Sequence, residues 1–263
     1  MSLKYRSPFG AKELFEQVDI FSVNYAPAFC VPADSPRPEK PWVWLAPTLA
    51  DTSLEVFVWY IQHLIQAGIG VAGYDLGEVR GSPKSSNQFN DFYQVMIAKG
   101  FGPKPTLLTK SRGALMLLAW AFRHPHQLTA FAGIYPVCNL LSWPLKNKPQ
   151  PVLDDYAMPQ DQLLHSIKAY NPIDQLKPLA EAQVPIFLLH GSHDELVPSH
   201  ENSDLLFYNY QAHGGSVALD RLEGLGHDDS AAFLENQPML QFLLKSLWAE
   251  VVSYQPELCK RTF

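Results

Sequence analysis

Three residues have the types that acyl transfer through a serine requires: Ser111 in PTLLTKSRGALML, Asp194 in FLLHGSHDELVP and His227 in RLEGLGHDDSAAF. A serine hydroxyl attacks a carbonyl only when a base takes its proton and an acid orients that base. The oxyanion that follows needs two N–H donors. Each residue alone has a plainer reading. Ser111 could cap a helix, Asp194 could serve a turn, and His227 could be polar surface. Their placement together favours the chemistry. The serine and aspartate are 83 positions apart and the aspartate and histidine 33, and each residue follows a run that reads as a strand. That pattern brings all three to the carboxyl edge of one sheet, where ligands gather in open α/β folds.

The strands that must carry them alternate with helical patterns along the chain, the mark of a mostly parallel, doubly wound sheet. FEQVDIFSVNYAPAFCVPA predicts two strands and PWVWLAP a third. Residues 51–66 have helical spacing, with Asp51 or Thr52 as N-cap. IGVAGYDL is the next strand, GEVRGSP a turn, and residues 85–99 a helix closed by Gly100. TLLT leads into Ser111, a helix follows over 112–122, and LTAFAGIYPVC supplies the sixth strand. Residues 139–185 then break the alternation with prolines and polar residues, and a helix is predicted only over 160–170. Connections this long are usually lids. A lid over 139–183 is therefore expected inside a single domain spanning 1–263. VPIFLLHG, a helix over 202–212, SVALDRLEG and a helix over 238–252 restore the order.

The turn at Ser111 makes its own demands. A nucleophile on a sharp strand-to-helix turn adopts a strained backbone, and the residues two before and two after it must be small. Gly113 meets the second demand, whereas Thr109 stands where the first glycine would be.

Composition narrows the alternatives. The chain has 263 residues, 47% hydrophobic and 17% charged, enough for a core that holds a strained site unaided. A net charge of -6 argues against a broad nucleic-acid surface. No apolar run approaches the roughly 20 residues of a bilayer span, so no membrane insertion is expected. The N-terminus lacks the apolar stretch of a secretory signal, and Cys30, Cys138 and Cys259 are too few and scattered for a disulfide framework. A cytoplasmic location is expected, although a chain matured by loss of a leader would read the same. His190, His193, Asp194 and His200 lie close together but match no common zinc spacing, so no metal is expected. GEVRGSPKSS lacks the glycines of a phosphate loop. Its Glu78 and Arg80 read as a mutual ion pair or as residues at the mouth of the site. Lys110 and Arg112 are expected to point away from the pocket, the alternative being that they favour anionic esters.

YDLGEVRGSPK, TKSRG, NPIDQLKPLA and HGSHDELVP resemble the α/β-hydrolase superfamily, within it a bacterial esterase branch near the dienelactone-hydrolase and prolyl-oligopeptidase-like groups. The resemblance runs from about Pro41 to Leu244. It implies Ser111 as nucleophile, Asp194 as acid, His227 as base and no cofactor. One oxyanion donor is then the N–H of Arg112. The other comes from the loop after PWVWLAP, where Pro47 has no N–H, leaving Thr48 first and Leu49 second. Leu49 and Trp143 are expected to line the substrate pocket. The activity implied is that of a serine carboxylesterase on a small-molecule ester. A lactonase, sugar-ester deacetylase or small-peptide hydrolase could use the same residues, and a non-catalytic ligand-binding protein could share the fold. The lid is too small for the propeller of a prolyl oligopeptidase, which counts against long peptides.

Overall fold

The computed structural model describes residues 7–51 and 53–253; Thr52 and Cys259 lie outside the described residues. Its eight strands are β1 (Asp19–Val23), β2 (Ala26–Val31), β3 (Trp42–Ala46), β4 (Gly70–Tyr74), β5 (Thr106–Lys110), β6 (Ala130–Ile134), β7 (Ile186–Gly191) and β8 (Val217–Leu222). They form one open sheet in the order β1-β2-β4-β3-β5-β6-β7-β8. The first two make an antiparallel hairpin, β2 runs antiparallel to β4, and every later pairing is parallel.

Side chains alternate between the two faces with the period of the pleat. Trp42 and Trp44 of β3, Leu107 of β5 and Leu188 of β7 pack against the helices Pro83–Ala98, Gly113–Ala121 and Ser203–Ala212. Val43, Leu45, Leu108 and Leu189 pack on the other face, against Val58–Gln66 and Gln237–Ser253. Every residue of Gly113–Ala121 is buried, as expected of a helix that is apolar all round. Among the described residues no helix is long and apolar enough to cross a membrane.

Several boundaries differ from the expected ones. The segment after β3 starts with a 3-10 turn, Leu54–Phe57, before its α-helix, and its cap is Ser53, whose hydroxyl accepts the Glu55 N–H at 3.2 Å. Asp51 lies too far ahead of the first turn to reach it. The helix predicted over 85–99 begins earlier, at Pro83, because Ser82 caps it and proline suits the first turn. The prolines of the 139–185 stretch likewise open helices, Trp143–Asn147 and Pro149–Tyr156, as well as interrupting the chain. With Gln160–Ser166 these bury Val152, Tyr156 and Leu163 against Leu115, Val137 and Val197.

β4 and β5 lie on opposite sides of β3. The chain therefore switches direction at the β3–β5 boundary, where open sheets leave a crevice at their carboxyl edge.

Candidate active site

Ser111 sits at that crevice, one residue past β5 and two before the helix Gly113–Ala121. Its φ is +50°, a left-handed conformation that costs a non-glycine residue on the order of 1–3 kcal/mol. Two hydrogen bonds hold it there: its N–H donates to Ile134 O, and its carbonyl accepts the Val137 N–H, both at 2.9 Å. Gly113 permits the turn for a different reason. A Cβ there would fall 2.2 Å from Ala46 O and 2.3 Å from Pro47 N, so the helix can begin against the end of β3 only without a side chain. Thr109 fits where the small residue was expected. It is fully buried, and its hydroxyl donates to Ala132 O at 3.1 Å, so no polar group is stranded.

The structure brings the three distant residues together. Ser111 Oγ lies 2.9 Å from His227 Nε2, and His227 Nδ1 lies 2.8 Å from Asp194 Oδ2. A ring nitrogen facing a carboxylate carries the proton, so Nδ1–H donates to Asp194 and Nε2 is left to accept from the serine. Asp194 itself is buried, and its Oδ1 accepts the Val197 N–H at 2.8 Å. Burial pushes its carboxyl up, but hydrogen bonds from His190, His227 and Val197 outweigh that and hold it well below the usual carboxylate range.

His190 is the partner that sequence reasoning passed over. It is fully buried at the end of β7, with Nε2 2.8 Å from Val197 O and 3.3 Å from Asp194 Oδ2. Two acceptors on one nitrogen place the proton on Nε2, so Nδ1 accepts from the Ser203 hydroxyl at 2.7 Å. Asp194 thus receives an N–H from a histidine on either side. A histidine closing a buried strand just before the acid was the available signal. Among the described residues no cluster of histidine, cysteine and carboxylate side chains could hold a metal.

A second carboxylate stands near His227. The Asp229 side chain pairs with Lys110 at 2.5 Å and accepts the Tyr135 hydroxyl at 2.7 Å. The Tyr135 ring packs at a tilt of 51° against that of His227, centroids 4.3 Å apart. Burial raises the Asp229 carboxyl, and the hydrogen bonds from Lys110 and Tyr135 bring it below its ordinary value. Burial, with Asp229 beside it, pushes the Tyr135 phenol up, so it remains a donor.

Lys110 and Arg112 are among the residues that border the cavities at Ser111. Each is paired, Lys110 with Asp229 and Arg112 with Glu78 at 2.7 Å, which leaves little excess positive charge to attract an anionic ester. The Glu78 carboxylate thus pairs with Arg112, while Arg80 donates to the Glu78 main-chain carbonyl. Arg80 also pairs with Asp155, at 3.0 Å, tying the loop after β4 to the 139–185 stretch.

Trp143 lines a cavity of about 280 Å³ with Ser111, His227 and Leu196. Thr48 and Leu49 line a second, of about 190 Å³. The Thr48 hydroxyl turns away to donate to Tyr74 O at 3.1 Å. Asp75 braces this loop, accepting the Ala50 N–H at 2.6 Å and the Gly77 N–H at 2.6 Å. Among the described residues neither the Arg112 nor the Thr48 backbone N–H has a protein acceptor.

A family model described as the prolyl oligopeptidase family matches residues 104–249. The crystal structure of a puromycin hydrolase superposes with a TM-score of 0.66 at 18% identity, over 90% of this chain and 39% of that one. A puromycin-hydrolyzing peptidase of Mycobacterium tuberculosis gives 0.59 at 17% identity, over 87% and 37%. Mycobacterium tuberculosis MPT51 gives 0.65 at 13% identity, over 84% and 93%. This chain therefore spans well under half the length of the two hydrolases, and identities this low speak to the fold alone. No curated protein matches the sequence.

Proposed function

The chain belongs to the prolyl oligopeptidase family, with the α/β-hydrolase fold, and from that premise we propose that it is a serine hydrolase acting on small carboxylic esters. The observation that carries the reading is the continuous hydrogen-bonded path from Ser111 Oγ through His227 to Asp194, 2.9 Å and 2.8 Å per step. Ser111 Oγ bonds to the acyl carbon as its proton passes to His227 Nε2. Asp194 orients the imidazole and stabilises the imidazolium. The N–H groups of Arg112 and Thr48 stabilise the oxyanion; losing one such donor typically costs about 10²–10³ in rate. His227 then protonates the departing alkoxide, giving the alcohol and a Ser111 ester. A water next gives its proton to Nε2 as its oxygen attacks, and the acid leaves as Ser111 recovers its hydrogen. No step calls for a cofactor. Residues 139–183 act as the lid, with Trp143 over the serine.

A second reading, hydrolysis of amides or short peptides, is favoured by the family's description and uses the same residues. A fluorophosphonate label followed by intact mass should add one adduct to the wild type and none to Ser111→Ala; an adduct that survives the substitution defeats the proposal. Matched short acyl esters and aminoacyl amides then separate the two bonds, with faster turnover of esters expected.

A further inference from the structure

His227 is carried by the connection 223–230, which has neither helix nor strand. Its two ring nitrogens are held, one by Asp194 and one by Ser111. A hydrogen bond weakens steeply only below about 120° at the donor, so two such bonds leave the plane of the imidazole room to tilt. A further contact must limit that tilt if Nε2 is to stay on the serine. Among the described residues one aromatic ring packs against the imidazole, that of Tyr135, with centroids 4.3 Å apart.

Tyr135 follows β6 directly and has φ +33°. For a bulky residue this left-handed backbone is an outlier, costing on the order of 1–3 kcal/mol, and it persists only where the surroundings enforce it. Here the Tyr135 N–H donates to Leu189 O at 2.7 Å, while Ile134 O and the Val137 N–H grip the backbone of Ser111. The residue is buried, with its ring edge-on to that of Phe233 at 4.8 Å. Its hydroxyl donates to Asp229 Oδ1, which Lys110 also holds. The segment 134–137 therefore fixes Ser111 through its backbone and touches His227 through a side chain. Filling space alone would ask for neither the strain nor the hydroxyl. We propose that Tyr135 is a positioning residue for His227: its ring sets the plane of the imidazole so that Nε2 faces Ser111, and its bond to Asp229 fixes the ring. This rests on the reading of His227 as the base for Ser111.

The test compares wild type with Tyr135→Leu, Tyr135→Met and Tyr135→Phe. The readouts are kcat and KM on p-nitrophenyl acetate, thermal melting, and the low-field proton resonance of the His227 Nδ1–H. Tyr135→Leu should lower kcat about 10-fold or more, with KM changed by less than about two-fold, and should broaden or remove the resonance. Tyr135→Phe keeps the ring and should recover all but a few-fold of that loss. If Tyr135→Leu does not fold, Tyr135→Met, whose flexible chain fills irregular space, is read by the same criteria. A lower Tm with kcat and the resonance unchanged overturns the proposal, and so does a loss confined to KM. Equal losses of kcat in Tyr135→Phe and Tyr135→Leu overturn the part given to the ring, and wild-type kcat in Tyr135→Phe overturns the part given to the hydroxyl. A wild type that neither takes a fluorophosphonate label nor turns over any ester defeats the reading of Ser111 and His227 as nucleophile and base. The resonance then still shows whether Tyr135 holds the imidazole.

Discussion

Asp194 and Asp229 are two carboxylates beside one histidine, and they are held in opposite ways. Burial raises both, and partners bring both below the ordinary carboxylate value. The partners of Asp194 are a backbone N–H and two ring N–H groups, deep at the end of β7. Those of Asp229 are a mostly buried lysine and a buried phenol, but its own side chain is 50% exposed. A carboxylate fixed by the fold's own backbone can orient an imidazole. One that is itself half exposed can contribute charge, but its strength follows the solvent and the salt.

The comparison breaks most visibly at Asp194. Asp194→Asn should lower kcat by roughly 10³–10⁴-fold with a much smaller change in KM, since the amide favours the wrong imidazole tautomer; steady-state kinetics on p-nitrophenyl acetate read this. Next in size is His190. His190→Ala removes one donor from Asp194 and leaves Ser203 unpaired, and kcat should fall about 10-fold or more. His190→Gln can put an N–H where Nε2 was, and it should recover part of that loss. Equal losses in the two variants would mean that His190 only fills space.

Asp229→Asn should change kcat least, by a few-fold, and the difference from wild type should shrink as salt is raised. Acid denaturation sharpens the contrast. A carboxyl depressed by folding binds its proton more readily in the unfolded chain. Its contribution is therefore complete above about pH 4 and is lost as the pH falls through the lower folded value. Between about pH 4 and that lower value the stability of Asp194→Asn should fall less steeply than that of wild type, at low and high salt alike. Asp229→Asn should differ from wild type only at low salt.

Sequence reasoning reached Ser111, Asp194 and His227 because each follows an apolar strand into a turn, a local signal readable without knowing what packs nearby. The strands β3 and β5 were legible as short apolar runs for the same reason. Pairings between loops were not. Nothing near Arg112 marks Glu78 as its partner, and nothing near His227 marks Tyr135 or Asp229, because these meetings depend on which strands are neighbours. The helices at Trp143 and Pro149 were hidden by their prolines, which start helices as readily as they stop them.

The missing side chain at Gly113 has a practical corollary. Alanine replacement is the mildest probe at most positions of a chain, yet here it is among the harshest, since one methyl would occupy the space of the Ala46–Pro47 backbone. The Ser111 turn and the loop bearing Thr48 behave as parts machined to zero clearance, so neither can be redesigned while the other stays put. Changes to the cavities beside Ser111 are better made farther out, at Val56 and Leu196, which line them without touching that seat.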